Sequence, residues 1–401
     1  MSIEVLKRGF EEIIPEDEFE SRAAGKMRVK LGADPTGADL HLGHAVILNK
    51  LRQFQDAGHT VVFIIGDFTA QIGDPSGRDQ TRPTLSEEEV QKNAETYKEQ
   101  VFSILDREKT EVVNNSEWLE EMGVRGLLEL ASRYTVARML ERDDFSNRFS
   151  DEIPIRLHEF MYPLLQGWDS VHVEADFELG GTDQKFNLLV GRRLQKEEDQ
   201  TPQLIGTLPI LPGTDGEKKM SKTYGNHIPL QSSAQEMFGK LMSIPDHLVL
   251  PYARLLTGVS TEEMAEIELK FKSARADDPA RLKEIKKEVA FKITSRFKGE
   301  RAAGEGMDYF KRTVEEEEAP EADEMSSLVV AGEDVWIVDI LEESGLVESR
   351  GEAKRLLKQG GVYLDEEQLE GFDYDLTVEE PLVLQVGKHR YCRLLPEENS
   401  C

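Results

Sequence analysis

Apolar residues recur along the chain at spacings that separate helices from strands. Ile3, Leu6, Phe10, Ile13 and Ile14 fall at helical intervals and predict an N-terminal amphipathic helix. Ala45 to Ala57 reads as a helix stopped by Gly58, and the unbroken apolar run Val61 to Ile65 as a buried strand. Ser86 and Glu89 form a capping box ahead of Val90, Ala94, Tyr97, Val101 and Ile104, which predicts another long helix. Val171 to Leu179 reads as β-rich up to Gly180-Gly181, and Phe186 to Leu194 as helix. Such alternation up to about residue 228 predicts a parallel α/β sheet, whose ligands bind where strands give way to helices.

From about 231 to 312 strand signals stop and helical patterning takes over. Ser260 and Glu263 make a second capping box, and Leu282, Ile285, Val289 and Ile293 share one helix face. The stretch VEEEEAPEADE, Val314 to Glu324, carries seven acidic residues and no basic one, which predicts an exposed linker. Val335 to Leu395 is long enough for one small α/β domain. The expected domains are therefore 1–228, 229–313 and 333–401, with a linker over 314–332.

The chain has 401 residues and a formal charge of −29. No apolar run approaches the roughly 20 residues of a membrane span, and no secretion signal is apparent, so a cytoplasmic location is expected. Two cysteines, Cys392 and Cys401, supply neither a disulfide framework nor a zinc ligand set. The acidic balance argues against binding a phosphate backbone unless a local basic stripe exists.

Both common nucleotide loops, G-x-G-x-x-G and G-x-x-x-x-G-K-[ST], are missing. Three other segments carry chemistry. In Gly32-Ala33-Asp34-Pro35-Thr36 through His41-Leu42-Gly43-His44, two imidazoles three residues apart stand near a helix N-terminus, where N–H groups and the dipole favour an anion. Gly43 between them leaves room for a flat base; equally, the two histidines read as structural. A metal site lacks a third ligand at suitable spacing.

The second segment, GTDGEKKMSKT from Gly213 to Thr223, offers three lysines in a stretch suited to a departing pyrophosphate, or to plain solvation. The third joins Tyr162, Gln166 and Asp169 to Gly180-Gly181-Thr182-Asp183-Gln184. Gln166 and Asp169 share a helix face if that helix begins at Pro163. They build a polar pocket or serve as capping and surface groups.

Taken together, DPTGADLHLGH, GDFTAQIGDPSG, YPLLQGWD, GGTDQ and KMSKT resemble, in order and spacing, the tyrosyl-tRNA synthetases, a class I aminoacyl-tRNA synthetase family. The resemblance runs through essentially the whole chain. It implies a Rossmann-like catalytic domain, a helical tRNA-facing domain and a small C-terminal RNA-binding domain. It also implies activation of L-tyrosine by ATP, as its Mg²⁺ complex, with no protein-bound metal or organic cofactor, then transfer to tRNA(Tyr), in a homodimer without membrane contact.

By motif, His41, His44 and Thr36 would stabilise the α-phosphate transition state, and Lys219 and Lys222, with Arg78 and Arg82, the leaving pyrophosphate. Gly32, Asp34, Gly43, Gly181, Asp183 and Lys222 would hold ATP. Asp74, Tyr162, Gln166 and Gln184 would surround the amino-acid head group, and Asp169 would accept the phenolic hydroxyl. Phenylalanine would leave Asp169 unpaired, a mode of rejection for which this family is itself the usual example. One departure stands out: Lys30 occupies the place where many members carry a second hydroxyl ligand, a Tyr.

Between Lys270 and Arg301 there are eleven Lys or Arg against five Asp or Glu, a local excess that suits a phosphate backbone. Arg281, Lys283, Lys286, Lys287 and Lys292 are the expected tRNA contacts there. The stretch SRGEAKRLLKQGGVYLD resembles a small RNA-binding domain shared with a ribosomal protein and pseudouridine synthases, and adds Arg350, Lys354, Arg355 and Lys358. Two rival readings are a tryptophan-specific relative, which Asp169 disfavours, and a non-catalytic RNA-binding paralogue, which has no use for intact His41, His44, Lys219 and Lys222.

Overall fold

The computed structural model describes residues 3–397, apart from Ala38, residues 76–85 and 275–277, Glu317, Asp323, Glu333, Glu348, Glu370, residues 372–373 and residues 388–389. Arg78 and Arg82 thus lie outside the described residues. The chain divides into two compact units, 1–299 and 300–401.

The first unit is built on six strands: β1 (Glu12–Ile14), β2 (Arg28–Ala33), β3 (Thr60–Ile65), β4 (Thr110–Asn114), β5 (Phe177–Gly181) and β6 (Leu204–Leu208), in the order β1-β6-β5-β2-β3-β4. All neighbours run parallel except β1, which lies antiparallel on β6. Val61 to Ile65 of β3 are wholly buried, as expected of a central parallel strand covered on both faces. From β2 the chain proceeds to β3 on one side, and from β5 to β6 on the other. That divergence opens a crevice beyond the carboxyl ends of β2 and β5.

Among the described residues its α-helices are, in chain order, α1 (Ile3–Lys7), α2 (Phe19–Ala23), α3 (Leu42–Asp56), α4 (Thr69–Ile72), α5 (Glu87–Val101), α6 (Ser116–Ser132), α7 (Val136–Met139), α8 (Asp143–Ser150), α9 (Leu157–His172), α10 (Lys185–Glu197), α11 (Ala234–Ser243), α12 (Val249–Leu256), α13 (Thr261–Ala274) and α14 (Pro279–Lys298). The Ser86–Glu89 capping box forms at the head of α5. Helices α11 to α14 pack on one another, and α12 also packs on α3, so this helical segment continues the first unit.

Three local expectations change. The N-terminal helix ends at Lys7 because Gly9 takes φ +91°, and Glu12–Ile14 leaves as an edge strand. Phe10 then packs against Phe54 and Phe177, with centroids 6.4 and 5.6 Å away. The helix expected to begin at Pro163 begins at Leu157 instead. The Glu159 carboxylate accepts from the Arg156 N–H at 2.8 Å and pairs with buried Arg148 at 2.6 Å, which fixes an earlier first turn. Consequently Val171 and His172 close α9, and the strand starts only at Phe177.

The second unit starts with α15 (Glu300–Phe310), followed by a single π-helical turn, Lys311–Glu315. Part of the stretch expected as linker is ordered by charge: Arg312 pairs with Glu321 and Glu324. The rest contributes β7 (Ser326–Val330), so the acidic segment is not a free tether over its whole length. Next come β8 (Val335–Trp336), α16 (Ile337–Glu343), α17 (Arg350–Lys358), β9 (Val362–Leu364), β10 (Glu367–Gln368), β11 (Asp375–Leu376), β12 (Leu382–Val386) and β13 (Arg390–Pro396). One sheet orders β10-β9-β12-β13-β7, and β8 pairs with β11. Ile337, Leu341, Leu357, Leu384 and Leu394 fill its core, beside buried Cys392.

Candidate active site

The crevice at the ends of β2 and β5 holds two adjoining cavities. The inner one, about 230 Å³, is lined by Gly32, Asp34, Thr36, His44, Asp74, Tyr162, Gln166, Asp169, Gly181 and Gln184, among others. That volume lies below the roughly 300 Å³ at which pockets for drug-sized ligands begin, so it suits one small molecule. The outer one is lined by Asp39, His41, Gly43, Asp183, Lys219 and Lys222, and shares Thr36, His44, Gly181 and Gln184 with the first. Every expected catalytic, ATP or tyrosine residue among the described residues lines one or both.

Asp169 lines the inner cavity and is 3% exposed. Its Oδ1 accepts from Trp118 Nε1 at 2.9 Å, and its Oδ2 from Asn115 Nδ2 at 3.3 Å. Burial pushes its carboxyl up to about 7, against the pull of Lys30 and of the Trp118 and Asn115 hydrogen bonds. Each carboxylate oxygen retains acceptor capacity for a ligand hydroxyl. Asn115 and Trp118 went unnoticed in the sequence; the signal available was their place just after β4, at a strand-to-helix junction.

Nearer the mouth, a chain of polar contacts fixes the head-group side. Gln184 Nε2 donates to Asp74 Oδ2 at 2.7 Å, and Asn187 Nδ2 donates to Gln166 Oε1 at 2.8 Å and Gln184 Oε1 at 3.1 Å. Arg142 donates to Asn187 Oδ1 and is itself gripped by Asp144 at 2.6 Å. On the facing side, Asp34 accepts from Tyr162 OH at 2.9 Å and from Thr69 Oγ1 at 2.7 Å. Gly66 permits this approach, since a Cβ there would fall 2.1 Å from Asp34 Oδ1. Two carboxylates, two amides and a phenol suit an ammonium.

The two imidazoles open α3. His41 is the N-cap, and its Nδ1 accepts from the Gly43 N–H at 3.2 Å; His44 Nδ1 accepts from the His41 N–H at 3.2 Å. With each Nδ1 accepting, the proton of a neutral ring is on Nε2, leaving one N–H donor apiece. Burial, then neighbouring His44, His227 and Lys222, drives His41 down to about 2, and burial with Lys222 drives His44 to about 4. Gly43 makes room for the His41 ring itself: a Cβ would come within 2.9 Å of it. His227, which no motif announced, neighbours this pair, its ring 6.1 Å from that of His41.

Both signature lysines are held by carboxylates. Lys219 Nζ lies 3.2 Å from Asp183 Oδ2, and Lys222 Nζ 2.8 Å from Asp39 Oδ2. Asn226 braces their loop, accepting from the Ser221 N–H at 2.8 Å and donating to Asp215 Oδ2 at 2.8 Å and to Lys219 O at 3.2 Å.

The expected RNA contacts are distributed less evenly. On α14, Arg281 and Lys283 are exposed, while Lys286, Lys287 and Lys292 are partly covered and paired with Asp246, Glu284 and Glu263. On α17, Arg350 bridges Asp339 and Glu342, Arg355 approaches Glu352 at 3.9 Å, and Lys354 lies over the Trp336 ring at 4.8 Å. Lys358 closes the same helix.

Residues 22–314 match the model of the family described as tRNA synthetases class I (W and Y), and residues 335–370 match the S4 domain. A tyrosine–tRNA ligase of Thermotoga maritima is 51% identical over 394 residues, covering 98% of this chain and 96% of that protein. One from Oleidesulfovibrio alaskensis is 50% identical, covering 98% of each. The tyrosyl-tRNA synthetase of Archaeoglobus fulgidus, solved with L-tyrosine, shares the fold with a TM-score of 0.59 at 23% identity, over 75% of this chain and 98% of that one.

Depressed imidazoles have a signed consequence. Unfolded histidines take up protons near pH 6.5, whereas folded His44 does so near 4 and His41 lower still, so their contribution to stability is full above pH 6.5 and falls as pH drops toward 4. Imidazole NMR signals of His41 and His44 are expected to stay neutral from pH 8 to pH 5; a midpoint near 6.5 in either would contradict this burial.

Proposed function

The chain belongs to the class I tRNA synthetases of the tryptophan and tyrosine group and works as a tyrosine–tRNA ligase, and we propose how its residues divide that work. The reaction joins the tyrosine carboxylate to the α-phosphorus of ATP, displacing pyrophosphate. A ribose hydroxyl of the tRNA 3′ end then attacks the acyl carbon, and AMP leaves. No protein nucleophile is required, so positioning and charge stabilisation carry the catalysis.

The observation that carries this division is the pairing of a buried carboxylate, Asp169, with an adjoining chamber that offers neutral imidazole donors and two lysines. Tyrosine enters the inner cavity, its hydroxyl donating to Asp169 and its ammonium facing Asp74, Tyr162 and Gln166. Gln184 lies toward the carboxylate, at the junction of the two cavities. ATP enters as its Mg²⁺ complex, with adenosine against Gly32, Asp34, Gly43, Gly181 and Asp183.

Thr36 and the Nε2–H groups of His41 and His44 donate to the α-phosphate oxygens as charge develops. Being neutral, the two imidazoles stabilise that charge by donating a hydrogen bond, each keeping its Nε2 proton. Lys219 and Lys222 exchange Asp183 and Asp39 for the departing pyrophosphate, an anion that competes well for both ammonium groups. Arg78 and Arg82 would join them from the segment outside the described residues.

For tRNA we assign the Arg281 to Lys292 face of α14 and the α17 face of the S4 domain, and we retain the expected partition at 228 and 313 as functional regions. We take the working form as a cytoplasmic homodimer. Val124, Leu128, Val136, Phe149 and Leu157 are 61–80% exposed, an apolar surface suited to a second copy. Among the described residues no helix is long and apolar enough to cross a membrane.

Tyrosine-dependent ATP–pyrophosphate exchange tests the division. Exchange is expected with tyrosine and not with phenylalanine or tryptophan. Exchange driven equally by phenylalanine would remove Asp169 from the specificity role, and exchange driven by tryptophan would reassign the cavity.

A further inference from the structure

Lys30 is the departure that the sequence leaves unexplained, and its surroundings give it a role. It follows Val29 in β2 and precedes Leu31 and Gly32, which line the inner cavity, yet Lys30 does not line that cavity. Its side chain is 0% exposed. The ammonium donates to Gln166 O at 3.0 Å, Ser170 Oγ at 2.7 Å and Glu178 Oε1 at 2.8 Å, so its three protons are all used. Glu178, 1% exposed on β5, also accepts from Ser170 Oγ at 3.0 Å and from Gln203 Nε2.

Gln166 and Ser170 are one helical turn apart on α9, and Asp169 lies between them. A single ammonium therefore ties that turn to β2 and β5 at both ends. Stability alone does not account for the pair, because apolar residues of similar volume commonly replace a buried ion pair at no loss. What apolar residues would not supply is a positive charge beside Asp169. Among the described residues, the groups acting on Asp169 are Lys30 from β2, Glu178 from β5, and the neutral Trp118 of α6 and Asn115 at its N-cap, with Tyr162 on its own helix. Lys30 is the one cation among them, and it draws the Asp169 proton off, against burial and Glu178.

We propose that Lys30, paired with Glu178, is the positioning residue of tyrosine recognition: it fixes the α9 turn that carries Gln166 and Asp169, and it keeps Asp169 an ionised acceptor for the substrate hydroxyl. The inference rests on the reading of Asp169 as the hydroxyl acceptor. It also explains how the site works without a second hydroxyl ligand at position 30, since charge behind the acceptor replaces a second donor–acceptor contact in front of it.

The test is ATP–pyrophosphate exchange between pH 5.5 and 9 in wild type, Lys30→Arg, Lys30→Met and the double variant Lys30→Met/Glu178→Gln, which leaves no uncompensated charge in the core. In wild type, kcat/KM for tyrosine should fall on the acid side with a midpoint near 7. Lys30→Met should move that midpoint up by about one unit or more, the scale of a lost opposite charge, and raise KM for tyrosine while leaving KM for ATP unchanged. The double variant should give an intermediate midpoint and a tyrosine-over-phenylalanine ratio lowered about tenfold. Lys30→Arg should restore the wild-type midpoint.

A folded double variant with wild-type midpoint and selectivity would overturn the proposal. If instead Asp169→Ala leaves selectivity untouched, the reading of Asp169 fails and takes this inference with it. The two failures are thereby distinguishable.

Discussion

Burying the Asp169 carboxylate is the constraint around which the inner cavity is organised. An isolated ionised carboxylate in an apolar interior is too costly to persist and takes up a proton instead. Here the cost is offset by three residues: Trp118 of α6 and Asn115 at its N-cap donate to its oxygens, and Lys30 of β2 supplies charge. Lys30 in turn needs Glu178, and Glu178 needs Ser170 and Gln203. A network of neutral donors and one compensated ion pair thus spans β2, β5, α6 and α9. In the role proposed for it, Asp169 offers a substrate hydroxyl an acceptor that a hydrogen in its place cannot use.

The outer cavity, where we place the phosphates, meets the opposite problem. Developing negative charge there calls for donors, but permanent cations facing one another would repel. The structure uses two kinds of group. His41 is buried and His44 half-buried, both neutral near pH 7, each with Nδ1 committed to a backbone N–H and Nε2 left to donate. Lys219 and Lys222 are paired with Asp183 and Asp39. The two cavities share Thr36, His44, Gly181 and Gln184, the boundary at which we place the meeting of the tyrosine carboxylate and the phosphate chain.

Much of this was legible in the sequence because the informative signals are local. His41 and His44, Tyr162, Gln166 and Asp169, and the Gly213–Thr223 loop are each short motifs, and the strand-to-helix rhythm located the crevice they share. What escaped were pairings across long sequence distances: Lys30 with Glu178, 148 residues apart, and Lys222 with Asp39, 183 apart. No periodicity reports such partners. Local capping also overrode pattern at α9, where the Glu159 grip on Arg156 and Arg148 set the helix start ahead of Pro163. In the C-terminal unit, acidic composition suggested a tether, yet Arg312 and the parallel pairing of β7 with β13 order part of it.

The central claim is that one buried carboxylate reads the substrate hydroxyl, and substituting it is the most direct test. The measurement is kcat/KM for tyrosine and for phenylalanine in ATP–pyrophosphate exchange, wild type against Asp169→Ala. Leaving a buried polar group unpaired costs about 1–3 kcal/mol, so the tyrosine-over-phenylalanine ratio should fall by roughly tenfold or more, chiefly through lost tyrosine activation. A ratio unchanged in a folded Asp169→Ala protein would contradict the account.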